Sequence, residues 1–245
     1  MAAGCITVPT YTTNTERDHQ HILDNSGASA VIVSTAKLAR VLMPAVLRSN
    51  VKTVITMENM RVGQQGDVQV LDWEPLVAGG EAYRAEAEAR GQAMTRDDTA
   101  CLIYTSGTGG APRGVMQHHG AILHNAAGAA EVLVNDFGIG DEEVFLSFLP
   151  LSHAYEHSGG QFLPIMVGAQ IYYSEGLEKL VSNIEETKPT IMVVVPRLFE
   201  VIRARMIKSV EKQGKLANWM LGQALRVGEK DYERRMGVFD RPVDI

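Results

Sequence analysis

The chain has 245 residues, 45% hydrophobic and 21% charged, with a net charge of −6, a profile that suits a folded domain able to bury a core. The acidic balance argues against nucleic acid as the main partner. Two cysteines, Cys5 and Cys101, are too few for a disulfide framework and lack metal-ligand spacing, and no apolar run approaches the ~20 residues of a membrane span.

In chain order, short β-branched runs alternate with helical stretches. Strands are predicted at Ile6–Pro9, Ala30–Ser34, Thr53–Met57, Val68–Leu71, Thr99–Tyr104, Val144–Phe148, Gln170–Tyr173 and Thr190–Val195. Helices are predicted at Glu16–Asn25, Ala36–Arg48, Glu81–Ala93, Gln117–Val134, Ser158–Met166 and Leu177–Thr187. Strands that are apolar almost throughout, separated by helices, imply an α/β fold with mostly parallel sheets covered by helices. Asn59–Asp67 reads as an exposed loop. No charged stretch precedes an apolar one at the start, so no signal peptide is expected and a cytoplasmic setting fits.

The last fifty residues change character. Arg203–Arg235 holds nine Lys/Arg and four Asp/Glu, and Phe199, Ile202, Met206 and Val210 recur at helical spacing. Such a basic amphipathic helix can lie on an anionic membrane surface, which makes the chain a candidate for peripheral membrane association. The plain alternative is a helix packed on the sheet with a solvated basic face.

Tyr104–Met116 reads YTSGTGGAPRGVM. Glycines let backbone N–H groups approach one anion, hydroxyls donate to phosphate oxygens, and arginine offers a planar fork. The run follows an apolar strand and precedes a predicted helix, a usual place for a phosphate cradle; the bland alternative is a flexible polar loop. It is not a P-loop, because Arg113 is followed by Gly114 rather than Ser or Thr. It is not a dinucleotide fingerprint either, because Pro112 stands where a third glycine is needed.

Thr105-Ser106-Gly107-Thr108-Gly109-Gly110-Ala111-Pro112-Arg113-Gly114 resembles the AMP-binding signature of adenylate-forming enzymes, [ST]-S-G-T-T-G-x-P-K-G. The departures are Gly109 for the second Thr and Arg113 for the Lys. Phe148-Leu149-Pro150-Leu151-Ser152-His153-Ala154-Tyr155-Glu156 is similar to the LPLSHxYE motif of long-chain acyl-CoA synthetases. With Gly4–Asn14 and Pro189–Arg205, the resemblance covers nearly the whole chain.

The resemblance implies ligation of a fatty acid to coenzyme A through an acyl-adenylate, with ATP, Mg²⁺ and coenzyme A required. It assigns phosphate contacts to Thr105, Ser106, Thr108 and Arg113 on a backbone of Gly107, Gly109, Gly110 and Gly114, and places Thr105 close to Mg²⁺. It puts His153 beside the acyl carboxylate, where a neutral imidazole can donate without forming a strong ion pair; Tyr155 and Gly160 follow on the substrate side. It divides the chain into a first sheet region (Met1–Ala93), a phosphate-loop and acyl-site region (Thr95–Val195) and a basic helical tail (Pro196–Ile245).

Family members are more than twice this length, and their later motifs for Mg²⁺, ribose and the reacting carboxylate are not recognisable here. The chain therefore reads as an internal piece of the N-terminal domain, expected to make no acyl-CoA alone. The alternative is a non-catalytic nucleotide- or acyl-binding remnant, or a subunit completed by another chain. His153-Ala154-Tyr155-Glu156-His157 also fits the inverted zinc-protease motif H-x-x-E-H. That motif needs a regular helix, which Pro150 and Ser158-Gly159-Gly160 argue against. His19, His21, His118, His119 and His124 read as ordinary surface residues.

Overall fold

The computed structural model describes residues 1–60, 66–105, 111–140 and 142–235. Two compact units are present, Met1–Val193 and Val194–Ile245.

The first unit is α/β with three sheets. Strands β1 (Ala30–Val33), β2 (Thr53–Thr56) and β3 (Gln69–Asp72) pair in parallel in that order. Helices α1 (Glu16–Ser26) and α2 (Ala36–Val46) pack on each other beside them. Ala39, Ala45, Val46 and Val54 are wholly buried in the resulting core. Alanine at two of these positions lets α2 lie close to the sheet, and Val54 fills the pleat beneath it. Beyond β3 the chain runs helical as α3 (Trp73–Gly79), a short 3₁₀ turn and α4 (Arg84–Ala93), so this helical stretch opens earlier than the sequence pattern indicated.

The second sheet positions the site. Strand β4 (Thr99–Thr105) pairs antiparallel with β5 (Arg113–His118), and helix α5 (His119–Phe137) follows at once. The phosphate-loop run is therefore followed by a strand and only then by the helix, which starts two residues later than the sequence pattern suggested. On its other side β4 meets Thr7, whose N–H donates to Ala100 O at 3.1 Å and whose carbonyl accepts from Leu102 N at 2.9 Å. Only this bridge forms from the predicted strand Ile6–Pro9, because Pro9 has no N–H to continue a ladder.

The third sheet pairs β6 (Val144–Ser147) in parallel with β7 (Gln170–Tyr173). Between them the chain is helical from Ala154 to Val167, as α6 (Ala154–Glu156), a π-helical turn (His157–Phe162) and α7 (Leu163–Val167). The predicted helix Ser158–Met166 is thus present and opens earlier, at Ala154, and its course through Ser158, Gly159 and Gly160 is π-helical rather than regular α-helix. Thr190–Val195 forms only an isolated bridge, Ile191 to Phe145, before Pro196 opens the next helix. Helix α8 (Leu180–Thr187) precedes it. The second unit holds α9 (Pro196–Glu211) and α10 (Lys215–Arg235), which pack on one another.

Helix α1 starts on a reciprocal cap. Thr15 N–H donates to Asp18 Oδ2 at 2.8 Å, and Asp18 N–H donates to Thr15 Oγ1 at 3.4 Å. The Thr15 N–H, together with the Thr15 hydroxyl that donates to the same Oδ2 at 2.7 Å, holds the Asp18 carboxyl below its ordinary value. Gly27, at φ 64°, closes the helix in the left-handed region. Thr15→Ala is expected to cost about 1 kcal/mol of unfolding free energy, measured by urea denaturation; an unchanged midpoint would show that the cap does not hold α1.

Candidate functional site

A cleft of about 400 Å³ opens where α1, the end of β4 and the turn before α6 converge, a volume suited to a small ligand. Pro9, Thr10 and Tyr11 enter it just beyond the Thr7 bridge; Asn14, Asp18 and Ile22 come from the start of α1 and its approach. Ile103, Tyr104, Thr105 and Pro112 come from both flanks of the phosphate-loop run, and Ser152, His153 and Ala154 from the second motif. The structure thus brings Thr105 and His153, from two separate motifs, to one cavity.

Of the remaining predicted phosphate ligands, Ser106, Gly107, Thr108, Gly109 and Gly110 lie outside the described residues. Arg113 begins β5 opposite Thr105 and is exposed. Gly114 stands opposite Tyr104, and a Cβ there would lie 2.9 Å from Tyr104 Cζ and 3.1 Å from its hydroxyl. Glycine at 114 is therefore the seat of the Tyr104 ring, a role that motif reading did not suggest.

The mouth of the run is braced from α1. Tyr104 OH donates to Asn25 Oδ1 at 2.7 Å, and His21 Nε2 is 2.7 Å from Pro112 O, which makes that nitrogen the donor. The His21 and Tyr104 rings meet edge to face with centroids 6.2 Å apart. His21 is thus a brace and His19 is buried, so neither is the surface residue the sequence suggested. His118 is likewise engaged, accepting from Ala121 N–H at 3.0 Å as the cap of α5.

His153 is held by its own backbone. Its N–H donates to Pro150 O at 2.8 Å, and its carbonyl accepts from His157 N–H at 2.9 Å. At the N-cap of α6, its Nδ1 accepts from Tyr155 N–H at 3.2 Å. A neutral ring that accepts at Nδ1 carries its proton on Nε2, leaving one N–H donor for a ligand. Tyr155 is 53% exposed and does not line the cleft.

Behind this turn lies a group of polar atoms without partners. Glu156 is wholly buried, and neither carboxylate oxygen has a hydrogen bond; Ser152 Oγ and His157 Nδ1 share that state. Burial pushes the Glu156 carboxyl up, opposed by Ser147 and the Leu149 and Phe148 amides, which lie near without reaching hydrogen-bond geometry. Gly160 is packed against this carboxyl, and a Cβ at 160 would overlap Oε1. It supports Glu156 and does not line the cleft. His157 is buried edge-on to Phe162, with centroids 5.0 Å apart, and burial lowers its pKa.

Among the described residues no three His, Cys, Asp or Glu side chains are grouped to hold a metal ion. With His153 in the cleft and His157 and Glu156 buried behind it, nothing here supports the zinc-protease arrangement.

The family model described as AMP-binding enzyme matches residues 1–234. A long-chain-fatty-acid–CoA ligase of Homo sapiens is 26% identical over 249 residues, covering 99% of this chain and 37% of the ligase. The peroxisomal long chain acyl-CoA synthetase 6 of Arabidopsis thaliana is 35% identical over 129 residues, 52% of this chain and 18% of that protein. The crystal structure of a benzoate CoA ligase from Burkholderia xenovorans superposes with a TM-score of 0.58 at 24% identity, covering 81% of this chain and 36% of that one. The adenylation domain of a carboxylate reductase from Mycobacterium chelonae gives a TM-score of 0.62 at 20% identity, with 86% and 34% covered. These two structural likenesses are likenesses of fold.

The buried Glu156 has a testable signature. A folded pKa above the unfolded value stabilises fully below the unfolded pKa and is lost as pH rises through the folded one. His19 and His157, with lowered pKa, act oppositely and lose stability as pH falls below 6.5. Glu156→Gln is therefore expected to remove a decline in unfolding free energy that begins as pH rises above 4.5, followed by urea denaturation at successive pH values. Identical pH profiles for the two proteins would mean that folding leaves the Glu156 pKa unshifted.

Proposed function

The chain belongs to the AMP-binding enzyme family, and from that premise we propose that its cleft serves the joining of a long-chain fatty acid to coenzyme A through an acyl-adenylate. The observation that carries this reading is the convergence of Thr105 and His153 on one cavity. One ends the strand that leads into the phosphate-loop run, and the other lies within the second motif at the cap of α6, so phosphate and carboxylate chemistry would meet there. The long-chain choice draws on the names of the human and Arabidopsis relatives.

In the first step a fatty carboxylate oxygen attacks the α-phosphorus of ATP and diphosphate leaves. In the second the coenzyme A sulfur, having lost its proton, bonds to the acyl carbon and AMP leaves with the C–O electron pair. Two anions must be held together against their repulsion, so fixed donors matter more than a single strong cation. His153 would offer its Nε2–H to a carboxylate oxygen, and the Thr105 hydroxyl and Arg113 would face the phosphates. Arg113 brings a planar fork in place of a lysine point charge. Asp18 does not oppose the anions freely, since its carboxylate already accepts from the Thr15 N–H and hydroxyl.

The described residues alone do not fit a Mg²⁺ site: Thr105 offers one hydroxyl, and no carboxylate cluster accompanies it. Magnesium would then enter with the triphosphate, whose oxygens supply most of its ligands. Isothermal titration with ATP tests the site. Binding is expected, and Arg113→Ala is expected to weaken it roughly tenfold, as loss of a charge-assisted contact does. With palmitate, coenzyme A and Mg²⁺ added, no thioester is expected from these 245 residues, which span 37% of the length of the human relative. Failure to bind ATP would refute the assignment of the cleft, and diphosphate released together with thioester would show that these residues suffice.

A further inference from the structure

The second unit presents a surface that the nucleotide cleft does not use. None of the residues of α10 is buried, although Leu216, Trp219, Met220 and Val227 are large and apolar. At about 100° per residue, these four fall within an arc of roughly 120° together with Arg226, Lys230 and Arg234. No Asp or Glu of α10 lies in that arc: Glu229 and Glu233 fall on one side of it. Asp231, on its other margin, is bonded to Arg235 at 2.9 Å. Ala217 and Leu221, which are half-buried, lie across the helix from the arc, and α10 packs on α9.

Helix α9 repeats the pattern in short form. Phe199 and Met206 are exposed on the same side as Arg203. The nearby Glu200 is held by Arg197 at 2.5 Å.

We propose that the acid-free arc of α10, carrying Trp219, Met220 and Val227 among Arg226, Lys230 and Arg234, docks on an anionic lipid bilayer. A partner for this face must accept an aromatic ring and aliphatic chains while neutralising three cations within one helical stripe. A bilayer surface bearing anionic headgroups does both, because the rings enter the interface while arginine and lysine reach the phosphates. No described helix is long and apolar enough to cross a membrane, so the proposed contact lies in the plane of the interface. Excess positive charge on this stretch, nine Lys/Arg against four Asp/Glu over Arg203–Arg235, adds a longer-ranged attraction to such a surface. The inference is independent of the ATP assignment and would survive its failure.

The test uses the 245-residue protein with vesicles of phosphatidylcholine alone and vesicles containing about a third phosphatidylglycerol, separated by sedimentation. Binding to the anionic vesicles only is expected, and it should weaken as salt shortens the Debye length. In a Trp73→Phe background the Trp219 emission should shift to shorter wavelength on binding. Paired substitution Arg226→Ala and Lys230→Ala should lower partitioning on the order of twentyfold, at about fivefold per charge. Trp219→Glu with Met220→Glu should abolish it; the salt titration of the unaltered protein stands even if that variant folds poorly. Equal binding to neutral vesicles, or none to either, overturns the proposal. So does a concentration-dependent dimer that these glutamate substitutions dissolve, because a second copy would then cover the arc.

Discussion

Tyr104 is buried with its hydroxyl 2.7 Å from Asn25 Oδ1 and its ring over the bare backbone of Gly114. A phenol in that place must find a partner for its hydroxyl or lose a buried hydrogen bond, so the end of β4 and the end of α1 are fixed together. Everything at the cleft follows from this seam. Thr105 is the next residue of β4, and α1 carries Asp18 and Ile22 into the lining. His21, four residues before Asn25 on the same helix, reaches Pro112 O from the far side of the phosphate-loop run. Both flanks of the run are tied to a helix whose own start is capped by Thr15 and Asp18.

The second wall of the cleft is built on a different principle. His153 and the turn around it are held by local backbone bonds, while Glu156, Ser152 and His157 stand buried behind it without partners. Each such atom costs roughly 1–3 kcal/mol when it leaves water unpaired. A carboxyl can lessen that cost by keeping its proton, in keeping with the upward push on Glu156. The π-helical turn brings Gly160 opposite this carboxyl, where a Cβ would displace it. Local cost of this kind is found where a fold gives up packing to aim a side chain.

The same turn shows where the sequence could and could not be read. Gly159 and Gly160 argued against a regular helix, because glycine weakens an isolated helix; in the fold the predicted helix Ser158–Met166 forms, but through a π-helical turn in which Gly160 packs against Glu156. Ala30–Val33, Thr53–Thr56 and Gln170–Tyr173 were legible because β-branched and aromatic residues fill a pleated surface whatever their neighbours. Arg113–His118 was not, since RGVMQH looks like a loop until β4 supplies its ladder. The opposite error came at Thr190–Val195, whose strand-like side chains find only one bridge before Pro196. Within the site, Thr105 and His153 were visible as motif residues, whereas Asn25 and His21 act through contacts distant in sequence and leave no local pattern. The capping pair Thr15 and Asp18 could have been found, for Thr-x-x-Asp before a helix announces itself.

Charge sharpens what the cleft must accomplish. The chain as a whole is acidic, whereas the ligands we propose for the cleft, a triphosphate and a carboxylate, are anions. Long-range attraction therefore cannot gather them, and donors within a few ångströms must do it. The lining is arranged accordingly: Asp18, the one carboxylate among its described residues, has its charge taken up by the Thr15 amide and hydroxyl at the positive end of α1. Ile22 and Ile103 supply apolar walls that strengthen whatever polar contacts form between them. Cations are concentrated instead on Arg203–Arg235, none of which is among the residues that line the cleft. Positive charge spread along a helical stretch suits an extended anionic surface, whereas a small ligand needs donors that converge on one point.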